Sequence, residues 1–162
     1  MFRSLTLPAG VKGRVYLHSM PGRYEKFEDT TSAIKDLKID GVICLATEEE
    51  IRLKSPIYMK MIQANEHDWR QRMFPILNFG VPSDWDEFFQ LSKDLSQHLL
   101  SGNNFLIHCG GGIGRTGTLA VGVLLFLGME IEEAKEVATS AGSFPETTSQ
   151  DQLLEWLELK LT

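Results

Sequence analysis

Cys109 and Arg115 stand six positions apart in the segment His108-Cys109-Gly110-Gly111-Gly112-Ile113-Gly114-Arg115-Thr116-Gly117. A thiolate is a nucleophile. A guanidinium is a planar fork that matches two phosphate oxygens, which the single ammonium of Lys does not. Five of these ten residues are glycine, out of 14 in the chain. Glycine lets a backbone turn with φ > 0 and approach a ligand closely. A loop folded this way can point the N–H groups of Gly110, Gly111, Gly112, Ile113 and Gly114 inward as an anion-binding nest. A helix beginning near Arg115 would add its positive end. In that field Cys109 is expected to ionise more readily than a free thiol. Thr116 can place a hydroxyl beside the sulfur and stabilise it as a leaving thiolate, and His108 can fix the loop through its ring nitrogens.

Such a loop needs a strand that ends at Cys109 and a buried helix after it. The pattern predicts both: Asn104–His108 is an apolar run, and Thr118–Leu127 is apolar on all sides, as a central helix should be. Upstream, Arg14–Ser19 alternates as a strand and ends in the turn Met20-Pro21-Gly22-Arg23. Asp29 is placed to cap a short helix through Leu37, which Gly41 separates from a buried strand at Val42–Ala46. Thr47 and Ser55-Pro56 read as helix starts. Met73–Leu77 reads as a short strand, with Pro75 marking an edge or an end. Residues 84–100 carry Trp85, Phe88, Phe89, Leu91, Leu95 and Leu99 on one helical face. Two amphipathic helices, at about 130–141 and 149–161, finish the chain. Strands alternating with helices imply an α/β layered domain with a largely parallel sheet.

The 162 residues fit one domain, 1–162, and a chain of this size needs no disulfide staple. A formal charge of −6 disfavours nucleic acid as a partner. No apolar run approaches a membrane span, and the first 20 residues lack a secretory pattern, so a cytoplasmic protein with no membrane partner is expected. Cys44 and Cys109 make neither a disulfide framework nor a zinc knuckle, and the histidines have no metal-ligand spacing. No metal or cofactor is expected. Gly112–Gly117 also fits a dinucleotide fingerprint, but that motif opens a strand–helix–strand unit, and here another helix pattern comes next. A Walker A loop fails because Arg115 replaces its Lys.

Cys-x5-Arg-Thr with His before the Cys resembles the signature loop of the protein tyrosine phosphatase superfamily, and "HCGGGIGRTG" looks most like its small, atypical dual-specificity-type members. Four more segments are similar in order: "GRVYLHSMPG" to the first strand and turn, "VICLATEEEI" to the second strand and the segment after it, "FPILNFGVPS" to the general-acid loop, and "FPETTSQDQ" to a late loop. The resemblance implies a single domain with a mostly parallel sheet of four or five strands and helices on both faces. It implies hydrolysis of phosphotyrosine, and of phosphoserine or phosphothreonine, through a phospho-cysteine. Cys109 would be the nucleophile. Arg115 and the N–H groups of Gly110–Gly114 would hold the oxyanion, with a phosphorylated protein or peptide, inorganic phosphate or another oxyanion as ligand. Glu146 and Gln150 match positions that can orient the hydrolytic water; alternatively, Ser149 caps the last helix and Gln150 is simply in its first turn.

The family's acid is an Asp about 30 residues before the Cys. Asn78 stands 31 positions before Cys109, and Asn cannot deliver a proton. Asn78 fits a natural weakening and equally an Asp-to-Asn change that traps bound substrate. A third reading moves the acid to Asp84 or Asp86, although an N-cap and a first-turn dipole partner suit those two better. A phosphate-binding pseudophosphatase that reads phosphorylated partners without turnover is the alternative function. Glu48 and Glu49 could reach the site but read better as a solvated first turn. Arg23, Arg70 and Arg72 read as scattered surface charges. A redox disulfide between Cys44 and Cys109 is open in this family's chemistry. Members of the family it resembles that act on inositol phosphates often carry Lys between the Cys and the Arg; with none between Cys109 and Arg115, the resemblance implies a phosphoprotein rather than a highly anionic lipid.

Overall fold

The computed structural model describes all of residues 1–162. Five strands form one sheet in the order β1-β2-β5-β3-β4: β1 Arg3–Leu5, β2 Arg14–His18, β3 Gly41–Cys44, β4 Arg70–Met73 and β5 Asn104–His108. Only β1 runs antiparallel, against β2; the other pairs are parallel. Seven helices complete the chain: α1 Phe27–Asp36, α2 Glu48–Lys54, α3 Pro56–Ala64, α4 Trp85–Leu100, α5 Gly114–Phe126, α6 Ile131–Ser140 and α7 Thr148–Lys160. The result is the expected α/β domain with helices on both faces of a mostly parallel sheet.

Side chains alternate across a strand, and the three central strands use both faces. Val15, Leu17, Ile43, Phe105 and Ile107 join the main core with Leu91, Leu95 and Leu99 of α4, Leu119 and Val123 of α5, Ala134 of α6 and Leu153 of α7. Tyr16, Val42 and Leu106 face the other way, with Ile34 of α1, while Cys44 packs with Ile51 of α2 and Tyr58 and Met59 of α3. α5 is buried from Gly114 to Leu125, the central helix its sequence predicted. No strand follows it, and α6 begins at Ile131, so the dinucleotide unit is absent.

Four local readings are corrected. β1 was not anticipated: three residues leave no periodicity to read. α1 begins at Phe27 after Lys26, with Asp29 inside its first turn and no side-chain cap. The strand expected at Met73–Leu77 lies earlier, at Arg70–Met73. Beyond it the chain still tracks the sheet, with the Phe74 and Ile76 N–H groups donating to Cys44 and Leu45 carbonyls. Thr147, not Ser149, caps α7, its hydroxyl accepting from the Gln150 N–H.

β5 is the middle strand, and β2, β5 and β3 end together: His18 pairs with His108, and so does Cys44. Ligands of open parallel sheets bind beyond the carboxyl ends of such strands. The glycine-rich loop begins there.

Candidate active site

Residues 109–113 turn from β5 into α5. Gly112 has φ +77, and a Cβ there would lie 2.5 Å from the His18 carbonyl oxygen, so the loop needs glycine at this point. Cys109 is buried, and its sulfur accepts two hydrogen bonds, from the Gly112 N–H at 3.2 Å and the Thr116 hydroxyl at 3.1 Å. No side chain caps α5. Its first N–H groups therefore remain free beside the sulfur.

Arg115 folds back over the loop. Its Nη1 and Nη2 donate to the two Glu50 carboxylate oxygens at 2.8 and 3.0 Å. Nη1 also donates to the Ile76 carbonyl at 2.7 Å, and Nη2 to Asn78 Oδ1 at 3.2 Å. Only Nε–H has no protein acceptor. The guanidinium is 2% exposed, so its charge depends on this pairing. A two-point grip on an oxyanion would use Nε–H together with Nη2, with Asn78 giving up its bond to Nη2. A side chain at position 110 would come within 3.1 Å of Glu50, 3.2 Å of Arg115 and 3.5 Å of Arg23, so these groups close around Gly110.

His108 is fully buried beneath the loop, and its partners fix its tautomer. The Trp69 indole N–H donates to Gln71 Oε1, which leaves the Gln71 amide N–H to donate to the Tyr58 oxygen. Tyr58 then donates to His108 Nε2 at 2.7 Å, and Nδ1–H donates to the Cys109 carbonyl at 3.0 Å. Burial holds His108 neutral, pushing its pKa from 6.5 down to about 4, against the opposing bond to the Cys109 carbonyl. A histidine that gains protons on unfolding destabilises the fold as pH falls. Its contribution is complete above about 6.5 and is lost between there and about 4. Over that window stability is expected to drop by about 3 kcal/mol from this group. Denaturant titrations of the parent and of His108→Asn at pH 7, 5.5 and 4 check this. The variant is expected to be weaker at pH 7 with a shallower slope, and equal slopes would contradict it.

The remaining expected residues fall in three places. The Glu146 side chain lies against the Cα of Gly114, at the rim of the loop. Gln150 is buried behind it, accepting from the Glu146 N–H at 2.7 Å and donating to the Gly80 carbonyl at 3.2 Å. Both ends of that amide tie the late loop to the Asn78 loop. Asp84 caps α4, accepting from the Asp86 and Glu87 N–H groups, and is exposed with Asp86 on a depression shared with Trp156 and Lys160. Asp84 spends its carboxylate on the start of α4, and neither aspartate bonds to the loop. Cys44 and Cys109 are both free. Burial raises the Cys44 thiol to about 12, so it is inert at neutral pH.

Sequence reasoning passed over Glu50 in favour of Glu48 and Glu49, which are exposed. Thr47-x-x-Glu50 has capping-box spacing, which would send the carboxylate back to the helix start. Thr47 does cap α2 through the Glu50 N–H, but the carboxylate goes to Arg115. Tyr58, Arg3 and Ser143 give no sequence signal either, because only folding brings them to the loop.

A sequence model described as PTP-SAK, Swiss Army Knife protein, DSP-PTPase phosphatase domain, matches residues 11–158. The chain belongs to this family of dual-specificity-type phosphatase domains. Solved structures show the same fold. A kinase associated phosphatase with serine at its catalytic-site cysteine aligns at TM-score 0.83 and 21% identity, over 99% of this chain and 95% of that one. PTPMT1 in complex with PI(5)P aligns at 0.72 and 19%, over 91% of each chain. P. aeruginosa TpbA, a cysteine-to-serine form in complex with pTyr, aligns at 0.60 and 15%, over 98% of this chain and 95% of that one. None of the curated proteins compared matches in sequence. No helix of this phosphatase domain is long and apolar enough to cross a membrane.

Proposed function

We propose that this domain hydrolyses phosphotyrosine, and more slowly phosphoserine or phosphothreonine, through a phosphoryl group carried on Cys109. The observation that carries the reading is the pair of hydrogen bonds aimed at the Cys109 sulfur, from Gly112 and Thr116, in a loop closed by Arg115. The thiolate attacks phosphorus while Arg115 and the loop N–H groups hold the equatorial oxygens. The S–P bond forms as the bond to the ester oxygen breaks. The departing oxide takes its proton from water, because Asn78 has none to give. Water then attacks the phosphoryl group, phosphate leaves, and the thiolate returns to its Thr116 and Gly112 partners. The positive charge comes from Arg115 and the backbone, so no metal is needed. Glu146, at the loop's rim, orients the second water.

Two features support an aryl ester in a phosphoprotein. An aryl oxide leaves without full protonation, which suits an Asn at position 78. Exposed apolar side chains border the loop beside its charged groups: Leu77 and Phe79 flank Asn78, Ile113 is in the loop, and Phe144 donates its N–H to the Ile113 carbonyl. Unpaired thiols suit a reducing compartment such as the cytoplasm.

Iodoacetate at pH 6 is expected to alkylate Cys109 alone and fast, with vanadate protecting it. A phosphotyrosyl peptide is expected to release phosphate faster than its phosphoseryl counterpart. Slow, unprotected labelling would overturn the nucleophile. The second reading, a domain that binds phosphorylated partners without turnover, rests on Asn78 and on Asp84 being spent as the cap of α4. It predicts saturable phosphopeptide binding with no phosphate released.

A further inference from the structure

The structure assigns Arg3 and Ser143 a joint role: they are positioning residues that lock the Gly112–Ile113 peptide so that its N–H faces the oxyanion. The inference rests on the phosphatase reading above and adds two residues from outside the signature loop. Arg3 Nη2 donates to the Gly112 carbonyl at 2.7 Å, and the buried Ser143 hydroxyl donates to the same oxygen at 2.6 Å. Arg3 Nη1 donates in turn to Ser143 Oγ at 2.9 Å and to the Ala141 carbonyl at 2.8 Å. Both lone pairs of one loop carbonyl are thus occupied, from opposite ends of the chain.

Amide geometry sets the consequence. A trans peptide is planar, so its C=O and N–H point in opposite directions. With the Gly112 oxygen held outward, the Ile113 N–H points into the loop, toward the space above Cys109. Gly112 has φ +77 and no side chain, so its own conformational preference does little to fix the direction of this carbonyl. A flip would remove a donor from the anion site and put a carbonyl oxygen in its place. The neighbouring chain is shaped to admit the clamp. Gly142 has φ +84, and a Cβ there would lie 2.7 Å from Arg3 Nη1. Arg3 also carries a second positive charge that acts on Cys109; burial lowers its own pKa, and the cysteine's charge partly offsets that.

Arg3→Ala, Arg3→Lys and Ser143→Ala test the assignment, with vanadate as the oxyanion and p-nitrophenyl phosphate as substrate. Each variant is expected to bind vanadate roughly 10–100-fold more weakly, the worth of one hydrogen bond to a charged group, and to lose kcat/KM in parallel. The double variant Arg3→Ala/Ser143→Ala is expected to be little worse than its weaker parent, because both act on one peptide. If Arg3→Ala does not fold, Ser143→Ala and Arg3→Lys still decide. Variants that melt earlier but bind vanadate like the parent would overturn the clamp and leave the phosphatase reading standing. A parent protein that binds no vanadate would overturn both.

Discussion

Replacing Arg115 with Lys is expected to cut turnover by roughly 10²–10³-fold, the typical cost of one transition-state donor. The charge survives, but the fork does not. Arg115 meets both Glu50 oxygens, the Ile76 carbonyl and Asn78 with two nitrogens and keeps Nε–H for the ligand. A single ammonium cannot hold Glu50 end-on and grip two phosphate oxygens together. Vanadate affinity is expected to fall with the rate. Steady-state kinetics with p-nitrophenyl phosphate check this, and a Lys variant at near-parent activity would mean that Arg115 is not the clamp.

Asn78→Asp is expected to act in the opposite direction. A carboxylic acid can protonate the leaving oxygen, which typically contributes roughly 10²–10⁴-fold. The gain is expected to be largest for phenyl phosphate and smaller for p-nitrophenyl phosphate, whose leaving oxygen hardly needs a proton. The geometry adds a cost. Asn78 Oδ1 already accepts from Arg115 Nη2. An aspartate there pairs with that cation in the free enzyme and repels an incoming oxyanion. The variant is therefore expected to raise kcat and weaken vanadate binding together. A basic limb is expected in its pH profile only, as the new acid ionises. A flat response to Asn78→Asp, with activity abolished by Asp84→Asn or Asp86→Asn, would move the acid to the start of α4.

The sequence shows what depends on short-range pattern and hides what depends on distant contacts. β5, the loop and α5 were legible because glycine density, an apolar strand and an all-apolar helix fall in one continuous stretch. The hydroxyl of Thr116 and the ring of His108 are near neighbours of Cys109 in the chain, and they donate to its sulfur and its carbonyl. β4 was displaced because an edge strand need not alternate apolar residues: its inward Gln71 is polar, satisfied by Tyr58 and Trp69. Glu50 hid inside a helix-start pattern that its backbone does obey. Arg3 contacts a carbonyl 109 residues away, from a three-residue strand, and no spacing rule connects the two. Gln150 lies in the first turn of α7, and its amide is spent on Glu146 and Gly80, which makes it a tie between loops.

The central claim is the covalent step on Cys109, and rapid-quench mixing with p-nitrophenyl phosphate tests it most directly. The account predicts a burst of about one nitrophenol per enzyme, a phosphoryl group on the Cys109 peptide by mass spectrometry, and neither in Cys109→Ser. Nitrophenol release with no phosphorylated cysteine, or saturable binding with no burst, would contradict it.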